Sequence, residues 1–259
     1  MPPEFRTDLD GVRRFHRRLL ELTADKVVAI KPQIAFFEVF GEAGLRLWAE
    51  TCALAREHDL VVIGDVKRGD IGSTAEAYAR AHFEWADILT VQPYLGDDSI
   101  EPFLWHCRER GKGIFVLCAT SNPGWTRFQA REDRDGKPLY VSVAEAIHEW
   151  NESCPTDSAW GSVGAVVGAT HPEALDAVRG AAPRSWLLLP GVGAQGARIQ
   201  DLERAFDADG LGALVPISRG IASCFEPSNP HWEDEVLASA DAFVSDAREL
   251  AIFASDAAT

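Results

Sequence analysis

Hydrophobic positions along the chain follow two alternating rhythms. Short, unbroken apolar runs recur at 27–30, 60–64, 88–91, 113–117, 164–167, 186–189 and 212–217. Runs of this length, largely apolar and rich in β-branched residues, read as parallel strands buried on both faces. Between them lie stretches with a period near 3.6. The first, over 7–24, puts Leu9, Val12, Phe15 or His16, Leu19, Leu20 and Leu22 on one side and Arg13, Arg14, Arg17 and Arg18 on the other. Further helices are predicted over 42–58, 74–85, 98–110, 141–151, 171–180 and 197–206, and a long amphipathic one over 232–253.

Strand and helix alternate with short joints and no linker, which predicts a single α/β domain over residues 1–259 with a parallel sheet. Polar, charged and glycine-rich residues gather after the strands rather than after the helices. A doubly wound open sheet would use two or three such loops at one switch point. Here at least five strand ends carry candidate groups, so the pattern predicts a (β/α)8 TIM barrel. The strand count is seven, one short of closure, and the chain opens on a helix, so the absent strand would precede it. Seven strands would leave two unpaired edges. The polar stretch 125–138 is long for a joint and reads as a lid, the plainer alternative being a disordered surface loop.

Composition narrows the function. A chain of 259 residues that is 46% hydrophobic can fill one barrel-sized core. A formal net charge of -15 excludes nucleic acid and anionic membranes as expected partners, since both demand a basic face. Cys52, Cys107, Cys118, Cys154 and Cys224 are scattered and lack Cys-x-x-Cys spacing, so neither a disulfide framework nor a zinc site is signalled. No apolar run reaches the roughly 18 residues of a membrane span, and the N-terminus lacks a signal-peptide core; the expected location is the cytoplasm. The seven histidines show no metal-ligand spacing, and no Ser/His/acid set stands out.

The densest chemistry is Asp65-Val-Lys67-Arg-Gly-Asp70-Ile71-Gly-Ser-Thr74. With a side-chain period of two, Asp65 and Lys67 point to one side where their strand runs out. The plain explanation is a salt-bridged strand end and a helix start capped by Asp70 or Ser73, with Glu76 completing a capping box. Lys31 ends the preceding strand and would face the same mouth; together with Asp65, Lys67 and Asp70 it would make a row of alternating charge that keeps each member ionised. Pro190-Gly-Val-Gly-Ala-Gln195-Gly and Ser218-Arg219-Gly220 follow the last two strands, where barrels commonly bind phosphate through backbone N–H groups and a cation. Tight turns and a carboxylate-paired Arg219 are the alternative. Thr120-Ser121-Asn122-Pro123 offers hydroxyl and amide donors but is equally a local turn.

Taken together, these five ordered motifs, with Ala29-Ile30-Lys31-Pro32 among them, closely resemble orotidine 5'-phosphate decarboxylase, in its bacterial subgroup with larger chains. The resemblance spans about residues 3–253. Asp-x-Lys-x-x-Asp alone would be less specific, because 3-hexulose-6-phosphate synthase shares it. The resemblance implies decarboxylation of orotidine 5'-monophosphate to UMP with no metal or organic cofactor. It implies Lys67 as the cation and proton donor at C6, Asp65 beside the substrate carboxylate, and Lys31 orienting Asp65 and contacting the ribose. Asp70, with Ile71 and Thr74, would reach into the neighbouring subunit's site, making a homodimer part of the mechanism. Ser121 would hold the pyrimidine amide, Gln195 would bridge base and phosphate, and Arg219 with the backbone around Pro190 and Gly220 would grip the phosphate. Family members begin with a strand ending in a ribose-binding aspartate, whereas this sequence starts just beyond it; Asp8 and Asp10 read as helix caps, and the expectation is an N-terminally truncated chain. The competing readings are a magnesium-dependent hexulose-phosphate-type aldolase and a non-catalytic binding protein.

Overall fold

A computed structural model describes residues 1–5, 7–193 and 196–257, with side chains through residue 250. In chain order the elements are α1 (Leu9–Thr23), β1 (Ala29–Ile30), α2 (Ala35–Glu38), α3 (Gly41–Glu57), β2 (Val61–Arg68), α4 (Gly72–Phe83), β3 (Ile88–Val91) and α5 (Asp97–Arg110). They continue with β4 (Gly113–Ala119), α6 (Leu139–Glu152), β5 (Val163–Val167), α7 (Pro172–Ala181), β6 (Leu187–Leu188), β7 (Ala213–Leu214), α8 (Arg219–Ala222) and α9 (Trp232–Ala257). The segments Pro123–Arg127 and Ile199–Ala205 are 3-10 helices.

The strands are parallel and lie in sequence order, β1 to β7, in one sheet. The period of two sorts their side chains into two cores. Inward positions Ile63, Phe115, Val166 and Leu188 meet in the barrel centre, with Ala29, Ile88, Leu117, Trp186 and Leu214 around them. Outward positions such as Val62, Leu89, Ile114, Val116 and Leu187 pack under the helices against Leu47, Phe103 and Ile147. Gly164 is required by this arrangement, because a Cβ there would lie 2.5 Å from the Phe115 ring.

Among the described residues the sheet is a seven-stranded half-barrel whose end strands β1 and β7 do not pair with each other. The helix layer closes on that side instead. Phe15 and Leu22 of α1 join Phe225, Trp232 and Val236 in a third core with Phe5, and Arg18 forks onto Glu233 at 2.6 and 2.5 Å. Val28 and Val61, beside the open edge, are exposed.

The predicted elements recur with local differences. Residues 197–206 form a 3-10 helix rather than an α-helix, and the ladders of β6 and β7 shrink to two residues each. The one-turn helices α2 and α8 were not legible in the periodicity, since four residues cannot show a 3.6 repeat. The stretch 125–138 is folded: a bridge joins Glu132 to Pro138, and Asp133 Oδ1 accepts from the amides of Asp135 and Lys137.

Candidate active site

Extending the inward phase of β1, β2 and β3 by one step beyond Ala29, Ile63 and Ile88 reaches Lys31, Asp65 and Thr90; two steps reach Gln33 and Lys67. These five side chains form one network at the mouth of the barrel. Asp65, only 5% exposed, is its centre. Lys31 Nζ donates to Asp65 Oδ2 at 2.7 Å, and Gln33 Nε2 donates to the same oxygen at 2.9 Å. Lys67 Nζ and Thr90 Oγ1 both donate to Oδ1, the latter at 2.9 Å. Burial pushes the Asp65 carboxyl up, but the Lys31 charge and the hydrogen bonds from Lys31 and Lys67 outweigh it and hold the group below the usual carboxylate value. Asp65 is therefore a buried, ionised carboxylate between two ammonium groups, with Lys67 the more open of the two at 46% side-chain exposure against 23% for Lys31.

The predicted Asp65–Lys67 pairing holds, but not at a strand end. β2 runs on to Arg68, and its register against β3 shifts between Gly64 and Arg68. Lys67 lies in this irregularity at φ 45°, a left-handed conformation rare for residues other than glycine. Its amide donates to Thr90 Oγ1 at 2.9 Å, so Thr90 fixes the Lys67 backbone and the Asp65 carboxylate together.

Asp70 makes no described contact with Lys31, Asp65 or Lys67; its Oδ1 accepts the Ile71 amide at 2.8 Å. The predicted capping box is absent, since α4 is capped at Ile71 with no side-chain hydrogen bond. Ile71 and Thr74 are exposed beside Asp70.

Three further loops carry the remaining predicted residues. Ser121 follows β4, after a second register shift between Leu117 and Ala119, and its backbone lies against Gly168, where a Cβ would come within 2.7 Å. Gln129 holds this turn: its Oε1 accepts the Thr120 amide at 2.7 Å and its Nε2 donates to the Thr120 hydroxyl at 2.8 Å. Pro190 follows β6 and opens a turn with Gly191 and Gly193 at positive φ. Gln195 lies outside the described residues. Arg219 begins α8 just after β7; it is exposed and, among the described residues, in no ion pair. Gly220 packs on Phe243 of α9, and its carbonyl accepts from Ser239 Oγ at 2.6 Å. Asp8 caps α1, accepting the Gly11 amide at 2.9 Å, while Asp10 sits in the first turn beside Arg13 and Arg14. Among the described residues no cluster of His, Cys, Asp or Glu is arranged to hold a metal ion.

Thr90, Gln33 and Gln129 are the members that sequence reasoning missed. For the first two the signal was present in the phase of the strands. For Gln129, inside an irregular stretch, no periodic signal exists.

The mouth thus carries a buried carboxylate between two ammonium groups, and known proteins are similar to this chain over most of its length. The family model described as orotidine 5'-phosphate decarboxylase / HUMPS family matches residues 8–228. A Roseiflexus sp. (strain RS-1) protein named orotidine 5'-phosphate decarboxylase is 48% identical over 226 residues, covering 85% of this chain and 78% of its own. The Rhodopirellula baltica protein of the same name is 45% identical over 242 residues, covering 87% and 80%. The structure of Leishmania donovani OMP decarboxylase matches with a TM-score of 0.81 at 35% identity, covering 96% of this chain and 91% of that one. With a family model spanning most of its length and relatives of this identity, the chain belongs to the orotidine 5'-phosphate decarboxylase / HUMPS family.

Proposed function

We propose that this chain decarboxylates orotidine 5'-monophosphate to UMP. The observation that carries the reading is the ionised Asp65 flanked by Lys31 and Lys67 at the mouth of the barrel, in a chain whose similar relatives are named for this reaction. Loss of carbon dioxide from C6 leaves an electron pair in the plane of the ring, where no π system delocalises it. Stabilisation must then be electrostatic, and an ammonium held at C6 supplies both the field and the proton. Lys67, the more open ammonium, takes this role. Asp65 sits beside the substrate carboxylate and disfavours the ground state until that charge is lost. Lys31 fixes Asp65 and meets the ribose.

Ser121 holds the pyrimidine amide, and Arg219 grips the phosphate with backbone amides near Pro190 and Gly220, assisted by Gln195. Binding energy from the phosphate, remote from the bond that breaks, then goes into holding the base against Lys67. Asp70, Ile71 and Thr74 complete the site of a second subunit in a homodimer. Support for the dimer comes from apolar side chains exposed on the segments after β1, β2 and β3: Phe36 at 74%, Val39 at 76%, Ile71 at 52% and Tyr94 at 84%.

The test is a spectrophotometric assay with orotidine 5'-monophosphate on the chain as it stands and on Lys67→Ala. The expected result is loss of the orotate absorption band with the unchanged protein, and none with the variant, which still binds UMP. Turnover by Lys67→Ala refutes the proton-donor role; no turnover by the unchanged protein refutes the activity.

A further inference from the structure

A lysine at φ 45° is costly for a non-glycine residue and persists only where its surroundings over-determine it. The next residue supplies that constraint. Arg68 points away from the mouth into the helix layer, where its guanidinium is held on three sides. Its Nε donates to His82 Nε2 at 3.1 Å, an Nη donates to Glu38 Oε1 at 2.9 Å, and its plane lies 5.2 Å from the Tyr78 ring centroid. His82 is fixed in turn, parallel to Tyr78 and edge-on to Trp48 at 5.8 Å. The clamp thus draws on α2, α3 and α4, three separate elements, to immobilise one side chain of β2.

The polarity of the clamp is equally determined. For Nε2 to accept from Arg68, the imidazole must be neutral with its proton on Nδ1. Burial, reinforced by the Arg68 charge, lowers the His82 pKa to about 4, so this state holds through neutral pH. The backbone that follows is tied as well: the Arg68 carbonyl accepts from Gln92 N at 2.9 Å, and the Gln92 side chain lies against Gly69 where a Cβ would be.

We propose that Arg68, clamped between Glu38 and His82, is a positioning residue that sets the bulge from which Lys67 presents its ammonium to the substrate. The inference rests on the reading of Lys67 as proton donor. The clamp lies in the helix layer, away from the loops assigned to base and phosphate. Loosening it therefore affects the chemical step more than nucleotide binding. The ammonium remains present but loses its fixed direction, and stabilisation realised only in the transition state is what suffers.

The experiment compares His82→Leu, which removes the acceptor, with His82→Gln, whose amide oxygen reaches the place of Nε2. For each, kcat and KM are measured with orotidine 5'-monophosphate, UMP affinity by calorimetry and folding by circular dichroism, with Lys67→Ala in parallel. The expected result is a kcat about tenfold lower in His82→Leu, UMP affinity within about twofold of the parent, and most of the loss restored in His82→Gln. An unchanged kcat in His82→Leu, equal loss of kcat and UMP affinity, or no rescue by His82→Gln overturns the proposal. Should His82→Leu fail to fold, Glu38→Gln decides through the other arm: a lower kcat at unchanged UMP affinity supports the clamp, and an unchanged kcat overturns it. Turnover by Lys67→Ala removes the reading beneath the proposal and the proposal with it; an inactive Lys67→Ala beside unaffected clamp variants overturns the clamp alone.

Discussion

Four side-chain donors converge on the two oxygens of Asp65, and each removes part of the cost of burying a carboxylate. Thr90 is the most economical of them to test, since Thr90→Val keeps the shape and deletes the hydroxyl. The variant strips one donor from Asp65 Oδ1 and one acceptor from the Lys67 amide, so a loss of about 1–3 kcal/mol is expected from urea denaturation. The same carboxylate makes stability depend on pH in a definite direction. Its folded-state pKa lies below the ordinary value of 3.8, so its contribution is complete above that value and drains away as the pH falls through the folded one. In acid titrations followed by circular dichroism, Asp65→Asn should lack this component of the stability loss. Lys31, Asp65 and Lys67 were legible in the sequence because charges at the ends of apolar runs are conspicuous. Thr90 and Gln33 were hidden because a lone Thr inside Ile88–Val91 and a Gln after Pro32 look like ordinary residues until the inward phase is known. Asp70 shows the converse: its carboxylate was visible, but among the described residues its partner is the next amide.

At the scale of elements, the turn after β4 and the segments leading into β6 and β7 each depend on one side chain. Gln129 ties residues 123–138 to the turn carrying Ser121 through both bonds to Thr120. Gln129→Ala should raise KM for orotidine 5'-monophosphate by about tenfold while leaving kcat within a factor of about three, because Ser121 is loosened and Lys67 is not. Arg179 of α7 acts at the opposite end of the barrel. It donates to the carbonyls of Ser185 at 2.7 Å and of Ala205 and Gly212 at 2.8 Å, and it lies 5.1 Å from the Trp160 ring centroid. Burial lowers its pKa to about 10, which still leaves it charged at neutral pH. Arg179→Met deletes these bonds where β6 and β7 begin and should cost about 3 kcal/mol, visible as a lower denaturation midpoint with unchanged KM. The strands themselves were legible because burial on both faces demands unbroken apolar runs. Their true extents were not, since in β6 and β7 the apolar run outlasts the ladder. The 3-10 helix Ile199–Ala205 escaped recognition for a related reason: Ile199, Leu202 and Ala205 are buried at a spacing of three, which a short window confuses with the α-helical repeat.

For the whole molecule, the proposed sharing of Asp70 between subunits makes a quantitative expectation. Lys67→Ala and Asp70→Ala proteins, each inactive alone, should regain about one quarter of parental activity when co-refolded. Half of the dimers are then mixed, and one of their two sites carries both native residues. Absence of any recovery, with mixed dimers shown by mass spectrometry, would refute the shared site. The seven-strand count was legible because each strand announces itself; the way α1 and α9 bridge the open side was not, since contacts such as Arg18 with Glu233 join residues that no local pattern connects. That open side also grades the molecule's resistance to opening. Amides of β4 are held between two long ladders, whereas β1 and β7 are each held from one side by a two-residue ladder. Hydrogen exchange should therefore be slowest at Val116 and Ala165 and quicken toward Ile30 and Leu214. Proteases acting on partly opened molecules should first cut around the two margins of the sheet, leaving β2 to β5 as the last cooperative unit to unfold.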